Sequence, residues 1–543
     1  MPSFILKTRL APWLASLIVA AAQAQPIPSL TELEAAGAVI GEIVVETHNI
    51  FDLDDPHESS FLYRAANALH IKTRPWLIRR SLLFKTGDRV SLRLIEETER
   101  LMRANSTVYD VEIRPTRYHD GVVDLEVRTR DTWTLQPGLR VRRAGGKNSG
   151  GFALKESNLA GTGTAFGLER SSTVDRTGTV LQLSNDHLFD GWTRIAGERA
   201  TFDDGASASL SVTRPFYALD SRRAGGASAA RFDRIDSIYS AGNVVGQYRH
   251  RQETADVFGG WSRGLIGGWT QRYSVGLSHQ TDSYEFEAGR PAPAVLPVER
   301  TLAGPFVRYE ALEDDFVLLR NRERIQRPEY FAMGFQSSVQ LGRSLAAFGS
   351  TDQPWQLSAS LSKGLRVPGG HELLTQAAYS AQYGSSATSD TRALGSSVRY
   401  YAPQGPNMLL LVAASADGVK SPNAADYLLL GGDNGLRGYP LRYQRGAQRA
   451  LLNVEERVYT DWYPLRIFRV GGAVFYDLGR AWGGPLATTD NTGWLSNAGI
   501  GLRILSARAS FGSVLHIDFA FPLHNTDPAI KPAQFLVTTS KTF

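Results

Sequence analysis

The chain has 543 residues, carries 59 Lys and Arg against 54 Asp and Glu, and contains no cysteine. A nearly balanced charge over that length excludes the concentrated positive field of a nucleic-acid binder, and the missing thiols exclude a disulfide framework, thiol catalysis and cysteine-bound metals. Length alone suggests several globular domains, yet the 52 glycines, the 10 Trp, 20 Tyr and 24 Phe, and a mean hydropathy of −0.22 fit another class better.

The chain opens with Lys7 and Arg9, an apolar stretch from Leu10 to Ala22 and the small-residue pattern Ala22-Gln23-Ala24. This is the layout of a secretory signal peptide, predicted over residues 1–24 with cleavage after Ala24. Losing Lys7 and Arg9 lowers the formal charge from +5 to +3. Residues 25–37 read as a linker holding one short helix over 30–36, with Thr31 and Glu34 at capping-box spacing. No later run approaches a membrane-spanning helix.

A small domain is predicted over residues 38–130. It starts with a β-rich run at 39–45 and a turn-rich DLDDP. A helix over 59–70 then places Phe61, Leu62, Ala65 and Leu69 on one face. Ser91 caps a second, amphipathic helix with Leu94, Ile95, Leu101 and Met102 on its apolar stripe. Two alternating strands follow, around Tyr109, Val111 and Ile113 and around Val123, Leu125 and Val127, joined by the hairpin turn Asp120-Gly121. The predicted order is β-α-α-β-β: one three-stranded sheet covered by two helices, with edges open to pairing.

From residue 131 to the end, short alternating segments are separated by Gly, Asp, Asn and Pro clusters. In 132–142, Trp133, Leu135, Pro137, Leu139 and Val141 oppose Thr134, Gln136, Arg140 and Arg142. Val470, Gly472, Val474 and Tyr476 oppose Gly471, Ala473, Phe475 and Asp477. Leu515, Ile517, Phe519 and Phe521 oppose His516 and Asp518. A soluble sandwich alternates in the same way, so the decision rests on the ends: an exported chain closing in QFLVTTSKTF, with Phe535, Val537 and the terminal Phe543 on one face. That ending matches the last strand of a transmembrane antiparallel β-barrel and its insertion signal. At about 25 residues per strand with its loops, about sixteen strands are predicted over 131–543.

Residues 434–440, NGLRGYP, resemble the signature of the sixth external loop in the BamA/TamA-like barrel superfamily (bacterial surface antigen type). Residues 474–482 (VFYDLGRAW) resemble that family's Phe-x-Asp-x-Gly strand, and 451–459 (LLNVEERVY) the strand before it with its inward Glu-x-Arg. Further matches are ESNLAGTG at 156–163, RPFYALD at 214–220 and LHIDFAFPL at 515–523. LLFKTGDRV at 82–90 and the helix after it resemble a POTRA domain, found once here where relatives carry two or more. The resemblance implies insertion or translocation of polypeptide clients at the outer membrane, with the N-terminal domain in the periplasm and no cofactor. Clients would enter through the sheet edge and the seam between the first and last barrel strands, with outer-membrane lipid and a periplasmic accessory protein as further partners.

The family's sixth loop folds into the lumen, where Arg437 requires an anionic partner, since an unpaired charge away from water is costly. It lies between Gly435, Leu436 and Gly438, with Tyr439 following, which suits a tight, positioned tip. Strand parity turns Glu455 and Asp477 inward as candidates for a guanidinium that can bridge two strands. The alternative is an independent surface charge. GTGTAFG at 161–167 lacks dinucleotide-binding spacing. No G-x-S-x-G or H-E-x-x-H is present, and His516 and Asp518 have no accompanying nucleophile, so no enzyme is expected. A passive channel and a structural surface-antigen barrel remain as rivals. N-terminal sequencing of the membrane fraction should find Gln25 first; retention of residues 1–24 would refute cleavage.

Overall fold

A computed structural model describes residues 27–105, 107–484, 493–509, 514–524 and 527–540. The expected signal peptide and Phe543 lie outside the described residues. The N-terminal unit runs α1 (Leu30–Ala35), β1 (Val39–His48), α2 (Phe61–Leu69), α3 (Pro75–Arg80), α4 (Leu92–Ala104), β2 (Val108–His119) and β3 (Val122–Asp131). Its sheet is mixed: β3 lies in the middle, parallel to β1 and antiparallel to β2.

The expected β-α-α-β-β order is therefore corrected. Three helices, not two, separate the first and second strands. The extra one, PWLIRR, is a six-residue helix started by Pro75, too short to show an amphipathic period. The cap of α1 is corrected too: Ser29 and Glu32 form the capping box, in place of Thr31 and Glu34. Ser91 caps α4 by accepting from Leu94 N. The core forms where the central strand meets the helices: Val123, Leu125 and Val127 are wholly buried among Ile40, Ile95, Met102 and Val111.

From Leu135 onward, twenty antiparallel strands close into one barrel, and the expected count of about sixteen is corrected. The cause is turn length. Six strands fit between Leu135 and Arg214 because consecutive strands turn on two to four residues, two of the turns being the pairs Gly145-Gly146 and Asp203-Asp204. An average of about 25 residues per strand overestimates such hairpins. Closure pairs the backbone around the ring, which hydrocarbon requires of any spanning sheet. Among the described residues no helix is long and apolar enough to cross a membrane.

Alternation sets the two faces. Along Phe468–Trp482, Val474 and Tyr476 are exposed on the outside while Phe475 and Asp477 are buried inside. The N-terminal unit docks on the barrel end that carries the turns at 160–163 and 189–192, where Arg74 N donates to Gly161 O (3.0 Å). Arg508, in the turn after Leu495–Ser506, pairs with Glu58 and donates to Ile50 O (3.3 Å), while Trp133 N donates to Arg508 O (2.7 Å). On the other side of the mouth, Glu97 of α4 accepts from Leu219 N (2.8 Å). Burial pushes the Glu97 carboxyl above the usual carboxylate range.

Leu125→Ala should cost the N-terminal unit about 2–5 kcal/mol, because the site is fully enclosed and cannot collapse. Limited proteolysis of the intact protein should then cut within residues 38–131 while the barrel keeps its heat-modifiable gel mobility. An unchanged cleavage rate would show that this core does not hold the unit together.

Candidate functional site

The long segment between Met408–Lys420 and Gln448–Tyr459 turns back into the barrel. A short hairpin, Leu428–Leu430 with Gln444–Gly446, forms its base. At its tip Asn434 bonds its own loop: its Oδ1 accepts from Gly431 N (2.6 Å), and its Nδ2 donates to Leu429 O (2.7 Å). Gly435 has φ +115°, and a Cβ there would lie 2.2 Å from the Leu451 side chain. A Cβ on Gly438 would lie 2.7 Å from Asn497 Cβ, so neither glycine tolerates a side chain.

These glycines bring Arg437 down to the lumen wall, where it is only 3 % exposed. Its Nε and Nη2 donate to Asp477 Oδ2 (2.9 Å) and Oδ1 (2.7 Å), and its Nη1 donates to Glu455 Oε2 (3.0 Å) and Asp518 Oδ2 (3.4 Å). The guanidinium also lies 3.3 Å from the Phe475 ring centroid. Arg503 bridges Glu455 (2.9 and 3.0 Å) and Asp518 (2.6 Å), and Arg457 donates to Glu455 (2.8 Å). Three guanidiniums thus meet three carboxylates, and the set is neutral although almost every member is buried. Asn453 and Asn497 each donate to Asp477 at 2.7 Å.

The rest of the motif packs. Leu436 is fully buried with Leu430, Leu495 and Ile530, and Tyr439 OH donates to Ser496 O (2.9 Å). Asp518 and Arg503 are members that sequence reasoning passed over. Their signal was available, since both sit on the charged face of their strands, but nothing in the sequence ties them to Arg437.

Beyond the motif, three consecutive loop residues reach both sides of the barrel seam. Leu441 packs against Ala144 of the first strand and Leu536 of the last. Arg442 forms a two-pronged pair with Asp175 (2.6 and 2.7 Å), on the first strand's side, and Tyr443 OH donates to Asp527 (2.7 Å), just before the last strand. The seam itself is sparse. Among the described residues the first strand (Leu135–Ala144) and the last (Gln534–Ser540) share one residue pair, Arg143 with Val537, whereas neighbouring strands pair along their lengths. Phe535 faces outward against Phe519, with ring centroids 4.9 Å apart, and Val537 is half-buried.

Below the seam a cavity of about 1440 Å³ runs from α2 past Leu135, Leu139 and Val141 to Arg437 in the lumen. The mouth beside the N-terminal unit is filled by residues 314–335, a segment with no sequence pattern that would place it inside. Arg322 forms a two-pronged pair with Glu372 (2.8 and 3.0 Å). Ile325 packs with Tyr401, Leu409 and Tyr459 across the lumen. From α4, Arg100 covers the Phe316 ring (3.6 Å) and Arg103 donates to Tyr330 OH (3.3 Å). Among the described residues no group of His, Asp or Glu is placed to hold a metal ion.

No family model and no curated protein matches the sequence. Among solved structures, BamA from Haemophilus ducreyi lacking POTRA domains 1–3 matches at 13% identity and TM-score 0.40, over 91% of this chain and 84% of that one. CdiB from Acinetobacter baumannii matches at 13% and 0.42, over 92% and 74%. CdiB from Escherichia coli matches at 12% and 0.48, over 92% and 75%.

Arg437→Ala leaves three buried carboxylates short of a partner and should cost the loop's anchored position about 3–5 kcal/mol, against ~0–1 kcal/mol for an exposed pair. Arg437→Lys should recover only part, since an ammonium cannot reproduce the planar fork. A double-mutant cycle with Asp477→Ala, read by protease protection of the loop, should show strong coupling; simple additivity would return Arg437 to the status of an independent charge.

Proposed function

We propose that this chain is an outer-membrane barrel of the BamA/TamA-like kind, which inserts or translocates polypeptide clients without nucleotide hydrolysis. Its N-terminal unit acts in the periplasm as a single POTRA-like domain. The observation that carries the proposal is the seam: among the described residues one residue pair joins it, in a barrel whose other strands pair along their lengths. A strand edge left unpaired beside a bilayer is a template for another strand, and β-augmentation supplies the missing hydrogen bonds. The sheet of the N-terminal unit offers further edges at β1 and β2. A client strand captured at β2 would pass to the seam, driven by backbone pairing and by burial of its apolar face in lipid.

A passive channel fits less well. Its lumen must stay open, whereas the motif loop and residues 314–335 occupy it from opposite ends. Single-channel recordings separate the two readings, since a filled lumen conducts little at rest.

Because the chain lacks cysteine, Arg143→Cys with Val537→Cys can be joined selectively across the seam, by oxidation or by a short bis-maleimide. A photo-crosslinker at Glu112 on β2 reports clients in cells. With the seam joined, clients should accumulate at Glu112 and their assembly should fall at least about tenfold, with recovery on reduction of the disulfide form. Undiminished client assembly through a joined seam, or crosslinking to lipid alone, would refute the proposal.

A further inference from the structure

Helix α2 buries one side and leaves a second apolar side uncovered. Tyr63 and Ala66 pack inward with Ile50 and Phe51, against Trp133 and Ile467. Phe61 is 80 % exposed and Leu69 77 %, with Leu62, Ile71 and Trp76 exposed nearby. At 100° per residue, Phe61, Leu62, Ala65 and Leu69 fall within a stripe of about 100°. Scattered exposed leucines are ordinary on a protein surface, but a continuous stripe led by a nearly bare phenylalanine marks an interface.

Two independent features identify what covers it. The first is charge. Residues 59–80 contain Arg64, Lys72, Arg74, Arg79 and Arg80 and no acid. All five are exposed, and none forms an ion pair among the described residues. An apolar stripe flanked by unopposed cations is the signature of a helix lying in a bilayer interface, with its side chains among acyl chains and its cations at phosphates. The second is continuity. Leu62, Ala65 and Leu69 line the same cavity as Leu135, Leu139 and Val141 of the first barrel strand, and Leu139 is 87 % exposed on the barrel's outer face. The apolar surface of α2 thus prolongs the lipid-facing surface at the seam. On the other flank, Trp462 and Leu465 are exposed in the turn whose Ile467 packs on the α2 cluster.

We infer that α2 is an in-plane membrane anchor: its Phe61–Leu69 stripe inserts among the acyl chains of the periplasmic leaflet beneath the seam, and Arg64, with Lys72 just after the helix, binds phospholipid headgroups. The inference rests on the barrel crossing a bilayer, not on the identity of any client. Inserted there, α2 displaces lipid at the one place where the strand wall is weakly paired. It also fixes the height of the N-terminal unit relative to the bilayer. A client strand is the competing occupant of the stripe.

Single-cysteine variants Phe61→Cys, Leu69→Cys and Ile71→Cys of the full chain would be labelled with bimane. They would be reconstituted in phosphatidylethanolamine–phosphatidylglycerol vesicles containing lipid brominated near the headgroup. Val474→Cys, on the barrel's outer face, serves as the lipid-exposed control and Glu112→Cys as the aqueous one, and heat-modifiable mobility confirms folding of each. The stripe labels should be quenched at least about twofold more than Glu112 and approach Val474, with weaker quenching when Arg64→Glu and Lys72→Glu are added. A synthetic peptide of residues 534–543, a surrogate client strand, should leave that quenching unchanged. Stripe labels as unquenched as Glu112 while Val474 is quenched would overturn the anchor. Relief of quenching by the peptide would overturn it as well and assign the stripe to client strands. If Val474 also escapes quenching, the barrel does not cross the bilayer and the membrane reading falls with the anchor.

Discussion

A strand that crosses hydrocarbon must satisfy every amide and carbonyl through its neighbours, because no water is there to do so. Backbone pairing runs around the ring of this barrel and is sparsest at the seam, where among the described residues one pair, Arg143 with Val537, joins the ends. What surrounds the seam adds contacts of other kinds. Inside, Leu441 packs on both strands. Below, Trp133 N donates to Arg508 O, tucking the entering chain under the last strands. The loop that carries Leu441 can do this only because its tip is fixed to the wall by Arg437, and Arg437 can be buried only because carboxylates from three different strands meet it.

Much of that anchor was legible. Two-residue periodicity places Glu455 and Asp477 on the inner face of their strands with no three-dimensional information, and the glycines around Arg437 indicate a tight approach. What parity cannot provide is register between distant strands. Arg503 and Asp518 show the same inward charge, yet their meeting with Glu455 depends on how far strands slide past one another. The strand count failed for a related reason, since it was inferred from average spacing while the turns vary from two residues to more than ten. In the N-terminal unit, α4 is long enough to show its stripe, whereas α3 is announced by a proline alone. The segment around Arg322 carries no periodic pattern or motif that would place it inside the barrel, and the facing Glu372 makes its burial tolerable.

The two fillings of the lumen differ in kind. The outer one is held by the neutral cluster of three arginines and three acids, insulated from salt by burial. The inner one is held jointly by the barrel and by the N-terminal unit, since Arg100 and Arg103 of α4 touch Phe316 and Tyr330. Displacing the N-terminal unit therefore removes contacts from the inner filling and leaves the outer one untouched.

Residues 441–443 have a mechanical consequence. Three residues span at most about 10 Å even when fully extended. They nonetheless reach Asp175, in the turn between the third and fourth strands, and Asp527, just before the last strand, while Leu441 packs on the cluster that holds Ala144 and Leu536. So short a backbone has little slack of its own, and what reach remains lies in the Arg442 and Tyr443 side chains. When either the ion pair at Arg442 or the hydrogen bond at Tyr443 breaks, the loop keeps a polar hold on one side alone, while the Arg143–Val537 pair still joins the strands directly. The joint is thus a two-position catch, not an elastic hinge, and the side that lets go first decides which strand the loop stays with.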